Sequence, residues 1–345
     1  MKAAILESIE HIAVKDIPDP ELERGSVILR VKVCSICGTD IRIYHYGHPR
    51  IQLPHILGHE ISGEVEAIAD EITDYKTGDR VAVTPRVTCG ECFYCRKGQP
   101  IYCLNSRSFG YQLPGGYAQR LLIPAQGVEL GVLNRFADTI SFEEASLAEP
   151  FACCLRAQRA SRVSTGDIVV VVGGGPIGIM HCRLARVNKA AKVILVERES
   201  KRLEKVDLSS IDQIVDSAKS DAREEILTLT EGRGADVAII ACSSGPAQEQ
   251  FLSVLGRGGR INFFGGLPPA ESSIAVDSNV IHYREVSVQG SHGSTPRDNR
   301  EALDMLKRKV LEVGDLITHT FPLDSIKEAL LFAESNEGMH VAIRP

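Results

Sequence analysis

The sequence predicts an α/β chain in which a β-rich region of about 150 residues gives way to a doubly wound parallel sheet, on three grounds. Alternating or β-branched runs at 27–33, 61–68 and 80–84 are separated by Gly and Pro turns, the pattern of strands in a barrel-like domain. From Asp167 the pattern changes to continuous apolar runs at 168–172, 192–196, 213–216, 236–241 and 260–264, alternating with helical segments, as in a sheet covered on both faces. The first of those runs leads directly into a glycine-rich turn that opens a helix. Beyond Pro296 the periodicity gives amphipathic helices over 299–313 and 323–335 and a last strand over 341–343. No internal repeat or low-complexity linker interrupts this order.

The length of 345 residues suits about two domains, and 43% apolar content supports ordinary globular cores. A net charge of −6 without a long Lys/Arg run excludes a general attraction to nucleic acid or to an anionic membrane. Small molecules are the expected partners. Glu7 and Glu10 stand where a signal peptide would need an apolar stretch, and no apolar run approaches the ~18 residues of a membrane span, so a cytoplasmic protein is expected. Six of the ten cysteines (Cys34, Cys37, Cys153, Cys154, Cys182 and Cys242) are more easily kept as thiols in such a reducing compartment.

The other four form one short segment, Cys89-x2-Cys92-x2-Cys95-x7-Cys103, with turns supplied by Gly90, Gly98 and Pro100. Four thiolates so spaced suit tetrahedral Zn²⁺ in a closed, structural site. A ferredoxin run closes instead with a three-residue gap followed by proline, whereas here Leu104 follows a gap of seven. A thiol–disulfide role for Cys92 and Cys95 conflicts with their being tied up by a metal.

The glycine-rich turn reads Gly173-Gly174-Gly175-Pro176-Ile177-Gly178, which fits G-x-G-x-x-G between a strand and a helix. Gly173, Gly175 and Gly178 permit the tight turn and close approach of the backbone to a pyrophosphate, while Pro176 and Ile177 open the helix whose N-terminus faces that charge. Glu197, at the end of the next strand, can accept hydrogen bonds from adenosine ribose hydroxyls, which argues for NAD over NADP. Arg198 beside it, with Arg202 beyond, keeps that choice open.

Cys37-Gly38-Thr39-Asp40 and Gly58-His59-Glu60 precede the four-cysteine segment, and Glu149-Pro150 stands where the β-rich region ends. Taken in this order with Gly63, Gly78-Asp79-Arg80-Val81, Gly115-Gly116-Tyr117-Ala118, the nucleotide turn and Phe321-Pro322-Leu323, these motifs resemble the zinc-dependent medium-chain dehydrogenases of the sorbitol and threonine dehydrogenase kind. The resemblance covers nearly the whole chain. It implies a GroES-like catalytic domain of residues 1–150, to which 290–345 return, and an inserted Rossmann NAD(P)-binding domain of residues 151–289.

The resemblance further implies one catalytic zinc besides the structural one, with Cys37 and His59 as ligands and Glu60 and Glu149 as an acidic pair, either of which can bind the metal directly. Thr39 has the place of a proton relay. Many relatives carry a histidine five residues after the zinc cysteine, but here that residue is Arg42, which cannot lose its charge. His45 is one replacement, and a solvated loop imidazole is the other reading of it. His340 stands where relatives often carry Lys or Arg near the cofactor phosphates. The expected activity is hydride transfer between a secondary alcohol, polyol or sugar, and NAD, in a homo-oligomer (dimer or tetramer). An L-threonine 3-dehydrogenase-type amino-alcohol dehydrogenase and a non-catalytic dinucleotide-binding protein are the alternatives.

Overall fold

The run VILRVKVCS forms the strand Val27–Ser35, buried at nearly every position because it has hydrogen-bonded neighbours on both edges. On one side Glu60–Ile68 runs antiparallel along its whole length; on the other, Arg120–Ile123 pairs with its beginning and His340–Arg344 with its end. The sheet continues through Arg80–Val83 to Leu133–Arg135 at one edge and to Ile317–Pro322 at the other. Leu29, Val31, Ile61, Val81, Leu121 and Ile343, all nearly inaccessible, lie in its core. Each such side chain contributes about 1.5–3 kcal/mol by burial. The computed structural model describes residues 1–199, 203, 204, 206–268 and 271–345. It divides into two compact units, Met1–Ala152 with Gly293–Pro345, and Cys153–His292.

In the second unit six strands pair in parallel, in the spatial order Gln213–Asp216, Lys192–Glu197, Ile168–Val172, Ala235–Ile240, Leu255–Phe263, Ser287–Gly290. Val169, Val170 and Val171 are fully buried, as a central strand covered on both faces requires. The strand order reverses beside Ile168–Val172, and the glycine turn follows that strand, at the crevice where doubly wound sheets bind ligands.

The C-terminal elements depart from the periodicity. The helix expected at 299–313 runs from Pro296 to Lys307. Thr295 and Asp298 form a capping box at its start, with Thr295 N donating to Asp298 at 2.9 Å, and the left-handed Lys309 (φ 53°) ends the chain's helical path. Leu311 and Val313 are still buried, but from irregular backbone, which is why the apolar period overran the helix. The helix expected at 323–335 is a 3₁₀ turn, Leu323–Ser325, followed by Ile326–Glu334. The short edge strand Ser287–Gly290 carries too little apolar pattern to have been foreseen. Among the described residues, no helix is long and apolar enough to cross a membrane.

Candidate active site

Cys37 precedes the helix Gly38–Tyr46, and its backbone N–H donates to Asp40 Oδ2 at 3.0 Å, a first-turn carboxylate closing the helix N-terminus. Asp40 is fully buried, and its Oδ2 also accepts from the Tyr117 hydroxyl at 3.0 Å. Its Oδ1 stands 3.4 Å from Nδ1 of His59. Gly58 sets that approach: its φ is +92°, and a Cβ there would lie 2.7 Å from Cys34 Sγ and 2.8 Å from the Tyr117 ring. One carboxylate thus anchors the backbone of Cys37 and faces the imidazole of His59, although sequence reasoning assigned Asp40 no role. Its spacing of three from Cys37, at a helix start, was the available signal.

The candidate ligand atoms of Cys37, His59 and Glu60 all lie within 4.8 Å of one another. Burial raises the Cys37 thiol, against the pull of His59. Burial opposes protonation of His59, but Asp40 and Cys37 outweigh it and hold the imidazole well above its ordinary range. Nδ1 of His59 is buried without a hydrogen bond. A thiol, an imidazole and a carboxylate gathered in a buried pocket fit Zn²⁺ in donor type, and the Asp40–His59 contact is the outer-shell arrangement that orients such ligands. Glu149, 9% exposed in the first turn of Ala148–Ala160, is not among the atoms gathered at this distance. Thr39 lies half-buried in the first turn after Cys37.

Two histidines stand elsewhere than the motifs suggested. His340 is buried, and its Nε2 donates to Glu60 Oε2 at 2.7 Å, so in this structure it serves the carboxylate of the site. The sheet explains this: Glu60 and Ala342 both pair with Ser35, from opposite sides, which brings His340 across the strand end. His45 has both ring nitrogens engaged, Nδ1 with Glu10 at 2.8 Å and Nε2 with Glu334 at 3.1 Å. It is a clip between carboxylates, not a solvated loop imidazole. The pair raises its pKa, chiefly through the hydrogen bond to Glu10.

The four thiols of Cys89, Cys92, Cys95 and Cys103 also lie within 4.8 Å of one another, and none of the ten cysteines forms a disulfide. The cluster is built by local turns, with Cys89 N donating to Cys103 Sγ at 3.2 Å and Cys92 N to Cys89 Sγ at 3.4 Å. Backbone amides of Cys95 and Leu104 lower the Cys92 thiol to about 6, while burial and the neighbouring thiols of Cys92 and Cys103 push Cys95 up to about 12. Four sulfurs converging without a disulfide are the donor set of a closed zinc site.

In the second unit, Gly175 caps the helix Pro176–Val187, with Pro176 at its first turn and Ile177 following. Gly178 lies against the turn so closely that a Cβ would meet Gly173 O at 1.8 Å. The carboxylate of Glu197 accepts hydrogen bonds from the amides of Gly174, Arg198 (2.6 Å) and Glu199 (2.8 Å), so it is held against the glycine turn. Arg198 turns its guanidinium toward Glu199 at 3.5 Å. Arg202 lies outside the described residues.

Residues 23–130 match the alcohol dehydrogenase GroES-like domain and residues 176–308 the zinc-binding dehydrogenase domain. The chain is 30% identical to sorbitol dehydrogenase of Halalkalibacterium halodurans over 97% of this chain and 96% of that one. It is also 30% identical to L-threonine 3-dehydrogenase of Yersinia pestis, over 98% and 97%. Among solved structures, a zinc-binding dehydrogenase of Sinorhizobium meliloti bound to NADP superposes with a TM-score of 0.90 at 29% identity, covering 100% of this chain and 99% of that one. 2R,3R-butanediol dehydrogenase of Bacillus subtilis does so with a TM-score of 0.88 at 26% identity, covering 100% and 99%. With a GroES-like domain, a Rossmann sheet and this breadth of similarity, the chain belongs to the zinc-dependent medium-chain alcohol and polyol dehydrogenases, oxidoreductases that act on CH–OH donors.

Proposed function

We propose that this protein oxidises a secondary carbinol of a hydroxyl-rich substrate, a polyol or sugar, with NAD as hydride acceptor. The convergence of Cys37, His59 and Glu60 carries the reading, because it joins one thiol and one imidazole to a carboxylate instead of a second thiol. Cys37, His59 and one of the carboxylates Glu60 or Glu149 would hold zinc, which when bound would supply Lewis-acid polarisation lowering the pKa of the alcohol. Asp40 keeps the His59 ring oriented, and His340 holds Glu60 by a buried hydrogen bond. The Thr39 hydroxyl, two residues beyond Cys37, relays the released proton. Glu197, which accepts two amide donors at Oε1 and one at Oε2, retains an Oε2 lone pair for a ribose hydroxyl and disfavours a 2′-phosphate by like charge. Cys89, Cys92, Cys95 and Cys103 hold the structural zinc.

In the same reading, residues 1–150 with 290–345 form the catalytic domain and 151–289 the nucleotide domain. The protein works in the cytoplasm as a homo-oligomer, dimer or tetramer; cysteines that form no disulfide, and the exposed Val288 in an edge strand with the exposed Tyr283, support this. The test is reduced-cofactor absorbance across inositols, hexitols, aldoses, 2,3-butanediol, L-threonine, ethanol and 1-hexanol, with both NAD and NADP. The highest kcat/KM is expected on a polyol or sugar with NAD. Highest efficiency on ethanol or 1-hexanol overturns the substrate class, and highest efficiency on L-threonine favours the amino-alcohol alternative.

A further inference from the structure

Beside the candidate zinc site the first unit carries a cavity of about 430 Å³ lined by Arg50, Gln52, His55, Tyr111 and Gln112, with Leu53 and Pro54 as its only apolar members. Among the described residues, no carboxylate lines it. The Arg50 guanidinium lies over the Tyr111 ring, 5.2 Å from its centre, and the Tyr111 ring lies 5.9 Å from that of His59. Arg50 and His59 therefore share Tyr111 as a common neighbour, which places the guanidinium on the side of the candidate zinc site where the far end of a substrate would lie. Among the described residues the Arg50 guanidinium has no ion-pair partner, and its exposed side chain is held by the aromatic face alone.

Of the neighbouring groups, Gln112 is free to donate. The carboxamide oxygen of Gln112 accepts from Ser108 N at 3.0 Å, which leaves its NH₂ for a ligand. His55 gives its Nε2–H to Leu113 O at 3.2 Å, and burial pushes that imidazole down, so it stays neutral. Burial, Arg50 and Arg42 lower His48, whose ring packs edge-on against Tyr111 at 5.2 Å, so two guanidiniums act on this side of the site. A stacked guanidinium with no ion-pair partner, beside the free amide of Gln112 and with no acid among the described lining residues, is complementary to an oxyanion.

Resting on the secondary-alcohol reading, we infer that Arg50, Tyr111 and Gln112 form a subsite for a carboxylate or phosphate at the end of the substrate remote from the reacting carbinol. The substrate class is then a sugar acid or a polyol phosphate rather than an uncharged polyol.

The experiment titrates the full-length, zinc-loaded protein calorimetrically with sorbitol, D-gluconate, sorbitol 6-phosphate and inorganic phosphate, and measures turnover of the organic ligands in parallel. Parent protein is expected to bind at least one organic anion about 10-fold more tightly than sorbitol, and Arg50→Gln to reduce that ratio by about 10- to 100-fold, as the loss of a charge-assisted, bidentate contact predicts. Arg50→Lys, which keeps charge but not the planar fork, should fall between. Preference for D-gluconate identifies a carboxylate, preference for sorbitol 6-phosphate a phosphate. Sorbitol binding as tightly as both anions, an unchanged ratio in Arg50→Gln, or inorganic phosphate binding as tightly as sorbitol 6-phosphate overturns the subsite. Turnover of sorbitol without anion preference leaves the secondary-alcohol reading standing, whereas anion binding through Arg50 with no oxidation of these ligands or of any secondary alcohol in the panel above overturns that reading instead.

Discussion

Glu60 and His340 are 280 residues apart in the chain, yet His340 Nε2 lies 2.7 Å from Glu60 Oε2, with both residues almost wholly buried. A buried carboxylate needs such a donor, since leaving it unpaired costs more than the bond is worth in water. His340→Ala is expected to lower kcat/KM about 10- to 100-fold, equivalent to about 1.5–3 kcal/mol for a hydrogen bond to a charged group. His340→Gln, which keeps a donor, should recover part of the loss. Steady-state kinetics with zinc analysis checks this, and an unaltered kcat/KM in His340→Ala removes the positioning role.

Cys37 and Cys95 should respond differently to removal. Cys37→Ala is expected to abolish turnover while leaving a folded, NAD-binding protein with one zinc fewer, because only the reaction site loses a ligand. Cys95→Ala should lower the melting temperature or impair assembly, since a closed tetrahedral site contributes folding energy directly. A Cys95→Ala protein as stable as the parent would refute the structural assignment.

Glu197→Ala should weaken NAD and improve NADP in relative terms by about 1–3 kcal/mol, through loss of a charged acceptor. The same change removes the acceptor of the Gly174, Arg198 and Glu199 amides, so some loss of thermal stability accompanies it. Kinetic constants for both cofactors decide the point; a parent that prefers NADP means that Arg198 dominates.

His45 supplies a pH dependence of stability. Its folded pKa is raised by the hydrogen bond to Glu10 and, after the opposing effect of burial, by Glu334. A raised histidine pKa adds stability that is fully present below the unfolded value of about 6.5 and is lost as pH rises through the folded value. The melting-temperature difference between parent and His45→Gln should therefore be larger near pH 5.5 than near pH 8.5. A pH-independent difference contradicts the assignment.

What the sequence by itself determined is what short-range pattern can encode. Continuous apolar runs implied a doubly covered parallel sheet, the glycine turn followed the first of them, and the cysteine spacing of 89, 92, 95 and 103 permitted a local cluster that turns alone can close. Apolar period was a poorer guide where burial continues from irregular backbone, as at Leu311 and Val313, beyond the last turn of Pro296–Lys307. Only tertiary structure decided which partners the polar groups find: Asp40 facing His59, His340 on Glu60, Glu10 and Glu334 on His45, and Arg50 stacked on Tyr111. Periodicity records which face of an element is buried, whereas a hydrogen bond or a stacked cation depends on strands and loops brought together from distant parts of the chain, and side-chain identity alone carries no record of that juxtaposition.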